Sequence, residues 1–232
     1  MAPAPAASAP AGGWRAEVRR LRGLRRQCRA VGCAFAPAAV RRLGYRLRGK
    51  NLATADGVTI HGLGNLVTEP GGRLDVGLEP VGFMDRGDRT LLRLRGRLEV
   101  AGPFTIARGC RLDVGPDAVV RLAGGYFNAR TTLVIAHGLT VGAGCAVSWD
   151  CQFLDEDFHA LDYDGRRPPA DPRITLGDRV WVGSGVTVLK GSSLPDGTVV
   201  AAGAVVAGRF TEPNTLLGGV PAKALRRGVS WR

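Results

Sequence analysis

The sequence predicts an all-β fold, a parallel β-helix of six-residue repeats. Two observations predict it, and a third, the charge, sets an N-terminal arm apart from it. Branched aliphatics recur at every sixth position from Leu176 to Val206. The composition holds 34 Gly but only 7 Phe, 3 Tyr and 4 Trp, which suits short strands and tight corners better than a core of bulky anchors. The charge is confined to one end. Residues 1–50 carry twelve basic residues against one acid, Glu17, a net of +11, while residues 51–232 carry twenty against nineteen, a net of +1.

Along the chain, residues 1–13 (MAPAPAASAPAGG) read as a disordered tail. Residues 14–50 form a basic arm. Within it Trp14, Val18, Leu21, Leu24, Cys28 and Val31 recur at three- and four-residue steps with arginines between them, predicting a short amphipathic helix over 14–36. Such a helix either lies on a membrane surface or docks on the main body. Residues 51–232 form the β-helix domain.

There the period is explicit. Leu176, Val182, Val188, Leu194, Val200 and Val206 are in phase, and Ile174, Val180, Val186, Ser192, Thr198 and Ala204 stand two residues before them. Earlier runs keep the rhythm in broken phases: Leu94, Val100, Ile106 and Leu112; Val114 and Val120; Ile135, Val141, Val147 and Phe153. A strand sends alternate side chains to one side, so two inward residues and a corner make a flat side. Three sides return the chain above its start after about eighteen residues. Between Phe153 and Leu176 the phase fails, and DEDFHALDYDGRRPPADPR (155–173) reads as a loop ejected from the coil.

Five cysteines without a Cys-x-x-Cys pair suggest neither a disulfide framework nor a zinc site, and fit a reducing cytoplasm. Cys110, Cys145 and Cys151 fall on small inward slots and read as core filler. The Ala/Pro-rich start has no apolar core region of a cleavable signal. The uncharged run 131–149 keeps the six-residue rhythm and is not a membrane span. The basic arm can meet anionic headgroups, a polyanionic glycan or nucleic acid, or simply be solvated.

The run ITLGDRVWVGSGVTVLKG…AAGAVV…LLGGVPAKALRR (174–227) resembles the hexapeptide-repeat acyltransferases of the maltose and galactoside O-acetyltransferase type. VSWDCQFLDEDFH (147–159) is similar to the branch that acts in cell-surface polysaccharide biosynthesis. The resemblance implies a left-handed coil with a C-terminal tail, a homotrimer with active sites between neighbouring subunits, and a cytoplasmic location reaching to the inner face of the membrane. It implies acetyl-CoA as cosubstrate, no tightly bound cofactor and no metal. The acceptor is a carbohydrate or another small hydroxylated molecule; a sugar hydroxyl of a surface glycan or its precursor ranks ahead of a small natural product. Nucleic acid is not an expected partner; membrane contact through 14–50 is.

Carried over residue by residue, the resemblance places the catalytic histidine at His159, with Asp157 beside it. It places acceptor contacts at Asn128 and Trp149. Coenzyme A contacts fall on Ser148, Trp181, Gly183, Ser184, Ala202, Gly203, Lys223 and Arg226. The chain departs from the pattern at Ala207 and Gly208, where relatives often carry Thr-Lys, so one phosphate contact is either missing or supplied by Arg209.

The chemistry needs few groups. A base takes the hydroxyl proton during attack on the thioester, and an imidazole with an unperturbed pKa of about 6.5 suits that task. Asp155, Asp157 or a backbone carbonyl can orient its ring. A glycine-corner N–H can hold the oxyanion. His61 and His137 lack the motif and read as structural. Two rivals share the scaffold. A γ-type carbonic anhydrase would need three histidines as zinc ligands, and these three show no close pair. A non-catalytic β-helix with a membrane-binding arm would have no use for the Asp-x-Asp-Phe-His loop.

Overall fold

The computed structural model describes residues 14–80, 84–159 and 171–232, so the tail at 1–13 and the middle of the 155–173 loop lie outside it. The helix expected over 14–36 stops early and a second one follows: α1 is Trp14–Val31 and α2 is Phe35–Leu47. Gly32, at φ 67, makes the break. Its N–H reaches Arg29 O at 3.4 Å, and Cys33 N–H reaches Cys28 O at 2.9 Å. These nested bonds close a helix on a left-handed residue, a position glycine fills without steric cost. α1 turns Leu24, Cys28 and Val31 inward onto Ala53, Ala55 and Leu78. Its apolar face is therefore taken up by docking on the coil.

From Leu52 the chain winds through three parallel sheets in turn, the parallel β-helix that the period predicts. The first coil is β1 (Leu52–Thr54), β2 (Val58–His61) and β3 (Leu66–Thr68). The second is β4 (Arg73–Val76), β5 (Thr90–Leu94) and β6 (Arg97–Val100), and the third β7 (Pro103–Ile106), β8 (Arg111–Val114) and β9 (Val119–Leu122). The fourth is β10 (Gly125–Phe127), β11 (Thr132–Ile135) and β12 (Gly138–Val141); the fifth is β13 (Cys145–Val147), β14 (Gln152–Leu154) and β15 (Ile174–Leu176). β16 (Trp181–Val182), β17 (Thr187–Leu189) and β18 (Ser193–Leu194) make the sixth. β19 (Val199–Val200) and β20 (Val205–Val206) begin the seventh, and the hairpin β21 (Thr215–Gly219) and β22 (Ala222–Arg227) closes the chain. We name the sheets A, B and C for the first, second and third strand of each coil.

Every in-phase aliphatic points into the prism and is buried, from Leu94 through Val206. Full burial of such side chains contributes about 1.5–3 kcal/mol each. Phe104, Phe127 and Phe153 add an aromatic column, with ring centroids 4.8 and 6.0 Å apart. Cys110, Cys145 and Cys151 fill small slots, and each thiol donates at 3.1 Å to a carbonyl one coil on: Asn128, Gly177 and Gly183. Burial pushes the Cys110 thiol up to about 12 and the other two up to about 11, so none is a ready nucleophile.

Both ends of the prism are covered, as an open stack of repeats requires. Tyr45 of α2 packs on the core at one end and Phe210 at the other. A second segment leaves the coil between β4 and β5, which the broken phase did not single out. Among the described residues no helix is long and apolar enough to cross a membrane.

Candidate functional site

The corner between sheets A and B repeats once per coil, and stacking aligns the repeats. Asn128 N–H bonds Val147 O at 2.9 Å, Gly185 N–H bonds Trp149 O at 3.0 Å, and Gly203 N–H bonds Ser184 O at 2.9 Å. Asn128, Ser148, Trp149, Gly183, Ser184, Ala202 and Gly203 therefore form one column along the A–B edge. Residues 183–185 and 201–203 carry nothing larger than a serine or alanine side chain, so the upper part of this edge is lined by small side chains and backbone. A Cβ built on Gly185 or Gly203 would meet nothing within 4 Å, whereas one on Gly183 would strike Ala202 N at 2.8 Å. Lower on the edge, Arg130 grips Asp150 through two bonds of 2.7 and 2.8 Å and ties two corners together.

Trp181 lies on the outer face of sheet A, two residues before Gly183. Its indole N–H donates to Ser148 Oγ at 3.3 Å, and its ring meets Trp231 at 6.1 Å between centroids. Trp231 is held by its own indole N–H to Arg179 O at 2.8 Å. Lys223 pairs in register with Gly218, at the A–B end of β21, and is exposed there. Arg226 pairs with Leu216 toward the opposite end of the hairpin. Arg209 bridges to Ser193 beyond sheet C, away from this column. The structure thus puts Lys223 at the A–B end of the hairpin, Arg226 toward its other end and Arg209 beyond sheet C. Below the small residues of the A–B edge, a cleft of about 500 Å³ on the outer face of sheet A is lined by Glu79, Pro80, Thr105, Tyr126 and Asn128.

His159 and Asp157 stand on a different edge. They follow β14, while Ser148 and Trp149 precede it, so sheet B lies between them. At about 3.3 Å per residue, the strand alone separates the two edges by roughly 10 Å. The B–C edge is organised by three successive carboxylates. Asp155 is fully buried and accepts the backbone N–H groups of Ala136, His137 and Gly138 at 2.6, 2.8 and 2.7 Å. Three donors stabilise a carboxylate that burial would otherwise penalise. Glu156 Oε2 meets His137 Nε2 at 2.6 Å, and its Oε1 accepts N–H of Asp157 and Phe158 at 2.8 and 3.3 Å. The hydrogen bond from His137, then the N–H of Asp157, hold its carboxyl below the usual range. Asp157 forms an ion pair with Lys190, from the next coil.

This corrects the expectation that Asp155 or Asp157 orients the His159 ring. Asp155 is saturated by backbone donors and Asp157 is turned to Lys190. Among the described residues His159 is exposed and has no hydrogen-bond partner. Phe158 before it sits at φ 62, a left-handed conformation that costs a bulky residue about 1–3 kcal/mol, and it is exposed. His137, read from sequence as structural, is tied to this same turn. His61 lies on β2, three strands from β11, or about 14 Å along sheet B. Among the described residues no group of three His, Cys, Asp or Glu is arranged to hold a metal ion.

No protein-family model matches the sequence. The chain is 35% identical over 216 residues to the uncharacterised 24.8 kDa protein of the cps region of Klebsiella pneumoniae, covering 93% of this chain and 97% of the relative. It is 29% identical over 147 residues to WbbJ of Escherichia coli K12, which is ascribed to lipopolysaccharide biosynthesis as an O-acetyl transferase; that match covers 59% of this chain and 74% of WbbJ. With the galactoside O-acetyltransferase of Escherichia coli K12 it shares 38% identity over 129 residues, 55% of this chain and 59% of the relative.

Proposed function

This chain belongs to the hexapeptide-repeat acyltransferases, and from that premise we propose that it transfers acetyl from acetyl-CoA to a sugar hydroxyl of a cell-surface glycan or its precursor. The observation that carries the reading is the A–B column. Small residues and backbone groups there would let a slender amide chain lie along the edge, with Lys223 toward its upper end for a phosphate. The relatives in a cps region and in lipopolysaccharide biosynthesis point to the acceptor class.

In this reading His159 accepts the proton of the acceptor hydroxyl as its oxygen attacks the thioester carbonyl. The carbonyl electrons move onto oxygen, where a corner N–H stabilises them. Collapse breaks the C–S bond, and the proton held by His159 passes to the departing thiolate. The products are the O-acetyl ester and free coenzyme A. Asp157 and Lys190 act by fixing the turn that carries His159. Asn128 and Trp149 border the acceptor, and the cleft beside Asn128 and Tyr126 offers it room.

The separation of His159 from the A–B column across sheet B supports a homotrimer in which one subunit's B–C edge faces a neighbour's A–B edge. The polybasic arm supports peripheral contact with the inner face of the membrane, where lipid-linked glycan precursors are presented. The test is mass spectrometry of glycan and small-molecule acceptors after incubation with acetyl-CoA. A gain of one acetyl group with matching release of coenzyme A is expected for a glycan. Modification of small natural products alone would sink the glycan assignment, and no acceptor-dependent release at all would sink the acyl-transfer reading.

A further inference from the structure

We propose that the outer face of α2 is the surface that inserts into an anionic membrane. The inference rests on the membrane contact proposed above and names the element that makes it. α2 is amphipathic in an unusual sense, because its apolar stripe faces outward. Its inward face is Ala38, Arg42 and Tyr45, three- and four-residue steps along one side. On the opposite side Ala36, Val40, Leu43 and Leu47 line up, and the last three are 71%, 59% and 81% exposed. Three large aliphatics in one row on a surface helix form a contiguous apolar patch, which marks an interaction site.

The surroundings select the occupant. Exposed Arg46 and Arg48 flank the stripe, and α1 beside it exposes Arg19, Arg22, Arg25, Arg26 and Arg29. No acidic residue occurs from 18 to 50. Aliphatics framed by guanidinium groups match the boundary of a bilayer with anionic headgroups, where apolar side chains reach the acyl layer and the arginines meet phosphate. A second copy laid on the same stripe would set the arginines of the two helices against each other, with Glu69 beside Arg46 as the nearby carboxylate. The chain's own residues 1–13 offer one Met among Ala, Pro, Ser and Gly, little apolar surface to cover it. In α1 the apolar residues Leu24, Cys28 and Val31 are buried on the coil, which leaves the exposed aliphatic row to α2.

The experiment is co-sedimentation of the full chain with vesicles of phosphatidylcholine alone, or with phosphatidylglycerol added. It is run at low and high salt beside the double variant Leu43→Ser/Leu47→Ser and the variant Arg46→Gln/Arg48→Gln. Both pairs of positions are exposed, so the variants should remain folded, as circular dichroism checks. Binding of the intact chain to phosphatidylglycerol vesicles, weakened by salt, is expected. The leucine variant should bind about ten- to a hundredfold more weakly at either salt concentration, and the arginine variant should lose mainly the salt-sensitive part. Equal binding by the leucine variant would overturn the inference, leaving attraction by the arm alone. Absence of vesicle binding by the intact chain would overturn it too. So would a change in oligomeric state of the leucine variant by light scattering, which would make the stripe an interface between copies. Acyl transfer to a soluble acceptor, measured on the same samples, should be unchanged in both variants. Its absence from all of them would fail the enzyme reading while leaving the docking result standing.

Discussion

Glu156 couples the two histidines of the B–C edge through one carboxylate. One oxygen caps the turn at Asp157 and Phe158, and the other takes His137, so the turn that ends in His159 is pinned to the coil below. His159→Ala should lower acyl transfer by about 100- to 10,000-fold, the range for loss of a general base. The residue is exposed and outside the ladders, so thermal stability and coenzyme A binding should stay near wild type. Near-normal turnover in a folded variant would remove His159 from the mechanism. His137→Ala, at a residue the sequence marks as structural, should lower kcat by a much smaller factor. His137→Gln should recover part of it, because an amide N–H can still donate to Glu156. The pH sign follows from the depressed Glu156 carboxyl. Its pinning contribution is in full force above the unfolded value of about 4.3 and is lost as pH falls through the lower folded value, so His137→Ala and the intact chain should converge in that acid range. The sequence made His159 legible because its motif is contiguous. It hid His137, Lys190 and Trp231 as partners, since those pairs span 19, 33 and 52 residues and exist only once the coils stack.

At the scale of elements, the helical arm shows where periodicity misleads. Leu24, Cys28 and Val31 keep phase because they face the coil. α2 was invisible to the same test because its aliphatics face outward and its inward row includes Arg42 and Tyr45, which no apolar count detects. Gly49 ends α2 as Gly32 ends α1. At φ 70, its N–H reaches Arg46 O at 2.9 Å and Lys50 N–H reaches Tyr45 O at 2.9 Å. A Cβ there would meet nothing within 4 Å, so Gly49→Ala isolates the backbone term. It should destabilise by about 1–2 kcal/mol, read as a lower denaturation midpoint at unchanged slope. A neutral result would mean that the arm unfolds separately from the coil. The ladders were legible because six-residue phase is a direct projection of coil geometry. The left hand of the coil is not in that period and came with the family resemblance.

At the scale of the whole molecule, the proposed site is divided between two edges of one prism. The A–B edge carries the column of small residues and the B–C edge carries His159, with the width of sheet B between them. In the proposed homotrimer each B–C edge would face a neighbour's A–B edge, which would bring the two halves together. Two inactive variants distinguish these arrangements. Ala202→Trp puts a bulky ring among the small residues of the A–B edge at an exposed corner position of ordinary φ, and His159→Ala removes the base. Each variant alone should be nearly inactive for a different reason. When equal amounts are unfolded together and refolded, trimers contain both kinds of subunit. About one site in four then pairs an intact A–B edge with an intact His159, and activity should return to about a quarter of wild type. Mixing the folded proteins without exchange should restore nothing, which controls for contamination. If the refolded mixture stays inactive while light scattering shows mixed trimers, both halves of each site come from one subunit. The turn at 155–159 must then reach around sheet B to its own A–B edge. A monodisperse monomer with full activity would overturn the divided site altogether.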